Sequence, residues 1–323
     1  MNPAGAIDGS RRVADPVFLV GSERSGSTLL THMLDHHPQM AWALALEFAV
    51  ALVPAAGHWP PLDAYYDYLD SSRIFQTSGL TIDRRLGYVE LVHDFLAQEG
   101  ARKHKPVVGA ALHHWFDRLP WLFPSCRCIH LVRDGRDVSR SAIDLGFVGN
   151  VWRGATWWAR AERLWDELRA HLPPESVHEV RYESLVCHPD DTLRGICAFI
   201  GVPYSERMLS YPDDTSYHPA DPARIEQWRR LPTAREIRVI EAVAGPLLVA
   251  RGYPLSGLPP LHLGAVRRCW LREHDRYRRV RFRIGREGLP LTAADFLARH
   301  LRLHACARRL QQQRNAVEMR YLQ

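Results

Sequence analysis

The chain's clearest chemistry lies in the loop Gly21-Ser22-Glu23-Arg24-Ser25-Gly26-Ser27-Thr28, which follows the apolar run Val17-Phe18-Leu19-Val20. Glycine lets such a loop turn tightly, so the N–H groups from Ser22 to Thr28 can converge on an anion at the start of the next helix. The spacing approaches a P-loop, but Ser27 stands where the Walker form has lysine, and Arg24 is the only cation inside the loop. A guanidinium at that place can grip a phosphate or sulfate through two parallel hydrogen bonds and neutralise a leaving oxygen. Ser22, Glu23, Arg24, Ser25, Gly26, Ser27 and Thr28 are therefore the candidate anion-binding residues. A tight glycine turn with a solvent-facing arginine is the plainer alternative.

A second candidate is Ile129-His130-Leu131-Val132-Arg133-Asp134-Gly135-Arg136-Asp137, with Ser141 two helical turns beyond. Arg133 falls at the carboxyl edge of an apolar strand, where open α/β sheets place ligands. Asp134 suits a helix cap and Asp137 its first turn, so both aspartates have a structural explanation. Arg133 and Ser141 together suit a second anionic group, by charge and by hydroxyl. A magnesium-dependent triphosphatase would want an acidic metal anchor at this strand end, whereas the chain offers arginine first; no metal site is expected. Glu47 is the one ionisable residue in the apolar run from Met40 to Val53, and a carboxylate there must be paired, protonated or functional. That run is shorter than the roughly twenty residues of a membrane-spanning helix.

The elements that must position these groups follow from periodicity. Strand-like runs occur at Val17–Val20, Pro106–Gly109, Arg127–Val132 and Val177–Arg181. Between them, residues 28–36, 88–99, 114–123, 135–145 and 152–170 repeat apolar positions at three and four, as helices do. Strands alternating with helices predict an α/β fold, a P-loop-like parallel sheet flanked by helices. Beyond Tyr182 the chain reads as helical: Asp190-Asp191 suits a cap for residues 192–199, and Pro232-Thr233 opens a helix to Ala250. The expected organisation is an N-terminal segment (1–15), an α/β domain (16–253), a linker (254–260) and a basic helical C-terminal extension (261–323).

Charge is unevenly spread. The net +6 divides into +10 for residues 261–323, from fifteen Arg against five acidic residues, and −4 for the rest. In that tail Arg267, Arg268, Arg272, Arg276 and Arg279 alternate with Val266, Trp270, Leu271, Tyr277 and Val280, which predicts an amphipathic helix lying on its own protein with a solvated basic face. No nucleic-acid partner is expected. Six cysteines without a CxxC pair read as reduced thiols, and residues 1–15 hold no apolar run of signal-peptide length, so a cytoplasmic protein is expected.

The two loops, taken with Arg181-Tyr182-Glu183-Ser184-Leu185 and the Gly201-Val202-Pro203 that follows a helix, resemble the sulfotransferases that use 3′-phosphoadenosine 5′-phosphosulfate (PAPS). The pattern covers residues 16–252 in the family's order and looks closest to bacterial members and protein-tyrosine sulfotransferases. The resemblance implies a sulfotransferase moving a sulfuryl group from PAPS to a hydroxyl acceptor, releasing 3′-phosphoadenosine 5′-phosphate. Residues Arg24 to Thr28 would then bind the 5′-phosphosulfate, Arg133 and Ser141 the 3′-phosphate, and Tyr182 would lie near the adenine. Trp228, Arg229 and Arg230 resemble the segment that closes over the nucleotide's 3′ end. A sulfuryl group carries less negative charge than a terminal phosphoryl group, so arginine and backbone amides can stabilise its transfer without a divalent ion.

The acceptor must also lose a proton. Glu47 lies at a distance from the loop that resembles the catalytic glutamate of protein-tyrosine sulfotransferases; His113 and His114 lie where other branches place a catalytic histidine. The chain departs from the family at Gly109-Ala110-Ala111-Leu112, where a lysine is usual. The acceptor class is a small molecule or a peptide hydroxyl, and the sequence leaves the oligomeric state open, a homo-oligomer included. Two rivals remain: a kinase using ATP and Mg²⁺, and a nucleotide-binding scaffold without catalysis.

Overall fold

The computed structural model describes residues 13–54 and 58–319, so most of the N-terminal segment 1–15 and residues 320–323 of the basic tail lie outside the described residues. Five strands form one sheet: β1 (Val17–Val20), β2 (Met40–Ala43), β3 (Val107–Leu112), β4 (Arg127–Val132) and β5 (Val177–Arg181). Their order is β2-β3-β1-β4-β5, and every pair is parallel. All four residues of the central β1 are buried, as a strand covered on both faces requires. Val20 is level with Leu112 on one side and with His130 on the other, which fixes where the flanking chains leave the sheet.

Helices α1 (Ser27–Asp35), α2 (Leu62–Ser71), α3 (Arg73–Ser78), α4 (Tyr88–Lys103) and α5 (Leu119–Leu122) belong to the first half. There follow α6 (Gly135–Asp144), α7 (Val151–Arg169), α8 (Tyr182–Cys187), α9 (Pro189–Ile200) and α10 (Tyr211–Asp214). The last four are α11 (Ala234–Ala250), α12 (Ala265–Glu287), α13 (Leu289–His300) and α14 (His304–Met319). No described helix is long and apolar enough to cross a membrane.

The chain forms two compact units. The first, made of the chain up to Tyr66 with Ser78–Asp134 and Arg160–Gln227, holds the sheet. Its core packs Leu29, Leu30, Met33 and Leu34 of α1 with Leu19, Ile129, Leu131, Val180, Leu193 and Ile196. The second comprises Asp67–Thr77, Gly135–Ala159 and the chain from Trp228 onward. In it Arg136, fully buried, lies 3.5 Å from the Trp228 ring centre and pairs with Glu241 at 3.0 Å. The α11 helix starts as expected, with Thr233 and Glu236 capping each other's backbone N–H groups.

Four expectations need correction. The apolar run from Met40 begins with an edge strand, β2, because pairing with β3 selects an extended backbone that an unbroken apolar pattern does not reveal; Gly109 of β3 leaves room for the Trp42 ring against it. The helix expected at 114–123 is broken: Trp115 takes a left-handed backbone (φ 53°), and only a 3₁₀ turn at Phe116–Arg118 and the four-residue α5 follow. Asp190 and Asp191 stand in the first turn of α9 rather than at its cap, since Pro189 begins the helix; there they meet the positive end of its dipole.

The fourth correction concerns α12. The residues it buries are Leu271 and Asp275, the latter accepting from the Gly149 N–H at 2.6 Å and from Arg279 at 3.0 Å. Asn150 donates to the Leu271 carbonyl at 2.7 Å. Val266, Trp270, Tyr277 and Val280 instead face outward, between 47% and 86% exposed. A buried carboxylate with two donors anchors this helix, so its apolar stripe did not have to.

Candidate active site

The first loop leaves β1 at Gly21, where any β-carbon would run into the Leu131 carbonyl. Arg24 adopts a left-handed backbone (φ 71°), which for a residue with a side chain costs about 1 kcal/mol and needs outside support. Arg133 supplies it: its buried guanidinium donates one amino group to the Arg24 carbonyl at 3.1 Å and the other to the Arg224 carbonyl at 2.8 Å. The same guanidinium lies 4.2 Å from the Tyr182 ring centre. That ring closes on Gly26 (φ 97°) so tightly that a β-carbon there would collide with it. Gly26 caps α1 without a side-chain hydrogen bond, so the first-turn N–H groups of the helix have no capping side chain to answer them.

The electrostatics of the loop point the same way. Burial, aided by Arg133 and Arg224, pulls the Arg24 guanidinium below its ordinary value against the opposing pull of Tyr217 and Glu23. Guanidinium stays charged all the same, so the direction marks a buried cation with two other arginines near it. Burial by itself would raise the Glu23 carboxyl, yet the His114 bond and the charges of His113, His114 and Arg24 hold it below the usual range. His114 Nε2 stands 3.5 Å from Glu23. Burial pushes the Tyr182 hydroxyl up, which keeps it protonated.

A second constellation meets the loop through His113, one residue past β3. Its ring Nδ1 is 3.0 Å from the Gly21 carbonyl, which can only accept, so Nδ1 carries the proton. In the neutral ring Nε2 then accepts from the Ser27 hydroxyl at 3.2 Å. The backbone N–H of His113 donates to Glu47 Oε1 at 3.0 Å. Glu47 opens a 3₁₀ turn, Glu47–Ala49, held beside the end of β3 by the Leu46 N–H bond to the Ala111 carbonyl. The Glu47 side chain is buried, and its Oε2 has no hydrogen-bond partner among the described residues. A buried carboxylate oxygen in that condition is costly and is the kind of atom that receives a proton.

Of the residues singled out from sequence, the first unit gathers the loop 22–28, Glu47, His113, His114, Arg133 and Tyr182. Ser141, Arg229 and Arg230 belong to the second unit. There Ser141 is half-buried on α6, Arg229 is exposed with its guanidinium 4.3 Å from the Trp228 ring centre, and Arg230 is exposed. Asp137, expected only as a first-turn acid, accepts from the Trp228 N–H at 2.7 Å and so fixes the start of that basic pair. Ala110 and Ala111 are buried in β3 and bring no second cation to the loop. Sequence reasoning missed Tyr217 and Arg224, which act on Arg24 from an irregular segment with no periodic signal.

The model of the sulfotransferase family matches residues 16–206. Protein-tyrosine sulfotransferase A of Caenorhabditis elegans is 24% identical over 211 residues, covering 63% of this chain and 54% of that protein. Protein-tyrosine sulfotransferase of Drosophila melanogaster is 25% identical over 206 residues, covering 60% and 40%. The chain thus spans about half the length of the curated relatives it matches. Among solved structures, the sulfotransferase domain of the Synechococcus PCC 7002 olefin synthase aligns with a TM-score of 0.48 at 20% identity, over 76% of this chain and 97% of that one. A family match that takes in more than half of the residues, and both candidate loops up to Arg133 and Tyr182, makes this chain a member of the sulfotransferase family.

Proposed function

We propose that the chain transfers a sulfuryl group from PAPS to a hydroxyl acceptor, with Arg24 on the leaving phosphate and Glu47 as general base. The observation that carries this reading is the double grip on His113: the loop holds its ring and Glu47 holds its backbone. One residue thereby sets a partnerless carboxylate oxygen in register with an anion loop.

In the reaction the acceptor oxygen attacks sulfur in line, and the bond from sulfur to the bridging phosphate oxygen breaks. The acceptor proton passes to Glu47 Oε2, and the charge left on the phosphate is met by Arg24 and the N–H groups opening α1. His113 uses its Nδ1 on Gly21 and its Nε2 on Ser27, so it positions the loop; taking a proton would require giving up the Ser27 bond. His114, paired with Glu23, holds the loop's acid in place. Arg133 is assigned to the 3′-phosphate and also to keeping Arg24 in its left-handed backbone. Tyr182 is assigned to the adenine side, and Ser141, Arg229 and Arg230 keep the nucleotide roles that the family resemblance implies. The relatives' names make a tyrosyl peptide the first acceptor to try, ahead of small phenols and alcohols.

The test is binding followed by turnover. 3′-Phosphoadenosine 5′-phosphate should raise the melting temperature more than ATP with Mg²⁺, and labelled sulfate should pass from PAPS to a pool of hydroxyl acceptors. Arg133→Ala should weaken nucleotide affinity by about tenfold or more, the scale of a lost charge-assisted hydrogen bond. Preference for ATP with Mg²⁺ would favour the kinase instead, and binding without transfer to any acceptor would leave a scaffold.

A further inference from the structure

The outward stripe of α12 is not random. Val266, Trp270, Tyr277 and Val280 fall at i, i+4, i+11 and i+14, which is one face of a helix, directly opposite the anchoring Leu271 and Asp275. Glu273 shares the stripe and is paired with Arg276 at 2.9 Å. Arginines flank the stripe on both sides, at 267, 276, 281 and 283. The next helix adds Leu289 and Phe296, each more than 60% exposed.

On the anchored side of α12, within the second unit, lies a cavity of about 470 Å³. Arg278, Arg281 and Arg286 line it together with Phe282, Val148 and Gly149, and no carboxylate does. The packing behind it is tight: β-carbons at Gly146 and Gly149 would strike Phe282 and the α12 backbone. Arg286 lies 4.6 Å from the Phe282 ring centre, which directs its charge along the cavity's aromatic wall.

We propose that the outward face of α12 docks on an anionic lipid bilayer, with Val266, Trp270, Tyr277 and Val280 in the interfacial layer and lipid phosphates drawn to the flanking Arg267, Arg276 and Arg281. Aromatic and aliphatic side chains flanked by arginine match a membrane–water interface, where rings sit at headgroup level and cations meet phosphates. Charge complementarity selects this occupant. The +10 balance of residues 261–323 repels a second copy of the same surface. A nucleic acid would satisfy the arginines and leave the valines, Trp270 and Tyr277 in water.

Vesicle flotation at about 0.1 M salt tests it, comparing pure phosphatidylcholine with vesicles holding about 30% phosphatidylglycerol. The full chain should float at least about tenfold more with the anionic vesicles, since each basic residue near such a surface contributes severalfold. Arg267→Gln with Arg281→Gln should remove most of that enrichment, and Trp270→Ser with Tyr277→Ser should do so without changing net charge. Equal flotation with both vesicles, or none with either, overturns the proposal. So does a melting-temperature rise with glycerol 3-phosphate unaccompanied by flotation, which would make the cavity a site for soluble anions. A dimer in sedimentation velocity that Trp270→Ser abolishes, or tighter binding to duplex DNA than to vesicles, would assign the surface to another occupant and overturn it as well.

Discussion

His113, just past β3, and His130, inside β4, stand on either side of β1, and their partners give them opposite tasks. His130 is fully buried, stacked 4.4 Å from the Trp165 ring centre, with Glu162 3.4 Å from one ring nitrogen and Glu179 3.3 Å from the other. Burial alone would lower its pKa, but the hydrogen bonds and charges of both carboxylates outweigh burial and raise it. That is a closed arrangement, with a carboxylate facing each ring nitrogen. At His113 the ring meets a carbonyl and a hydroxyl, while the nearby carboxylate binds the backbone and keeps one oxygen without a partner. A buried carboxylate that faces a buried imidazole is offset by it, whereas one held by a backbone N–H with its other oxygen open is costly to the fold and available for chemistry.

The comparison breaks first at Glu47. If the open oxygen is there for proton transfer, Glu47→Gln should lower turnover by about 10²- to 10⁴-fold, the range of general base catalysis, while nucleotide binding holds. The amide still offers an acceptor to the His113 N–H, so a variant that instead loses nucleotide binding would place Glu47 among the structural carboxylates. Next is Arg24→Gly, which relieves the left-handed backbone and removes the cation. Turnover should fall by about 10²-fold or more, with stability within about 1 kcal/mol of the parent chain. A large drop in denaturant midpoint would show that Arg24 holds the fold rather than the reaction.

On the closed side, the raised pKa of His130 sets a sign. The folded state binds the proton more tightly, so its contribution is complete below the ordinary value of 6.5 and disappears as pH rises through the folded-state value. Denaturant midpoints across about pH 5 to 9 should therefore decline more steeply for the parent chain than for His130→Gln. Parallel profiles would mean that the histidine is buried neutral. The smallest effect belongs to Ser27→Ala, which removes one hydroxyl from His113; a two- to tenfold fall in turnover is expected, the worth of roughly 1 kcal/mol.

Much of this was legible in order along the chain. Three strands and the loop after β1 could be read from apolar runs ending at glycine or arginine, and Thr233 with Glu236 marked the start of α11. β3 was placed but ended early, because Ala110, Ala111 and Leu112 carry no period to distinguish a strand from a helix. Glu47 stood out as a charge in an apolar run. Its bond to the His113 N–H joins residues far apart in sequence and leaves no local trace.

What the sequence determined by itself is therefore the alternation of strands and helices, the start of α11, and an arginine loop in place of a lysine one, because each depends on neighbours within a few residues. Tertiary structure decided three other things: the strand at Met40–Ala43, the clamp of Arg133 on Arg24, and the side of α12 that faces the protein. In each case the deciding partner is distant: the backbone of β3, a carbonyl after β1, and the Gly149 N–H that draws Asp275 inward and turns Trp270 out. Local pattern ranks the faces of a helix by polarity, but a buried donor waiting for a carboxylate can reverse that ranking, since an unmet polar group costs more than an exposed ring.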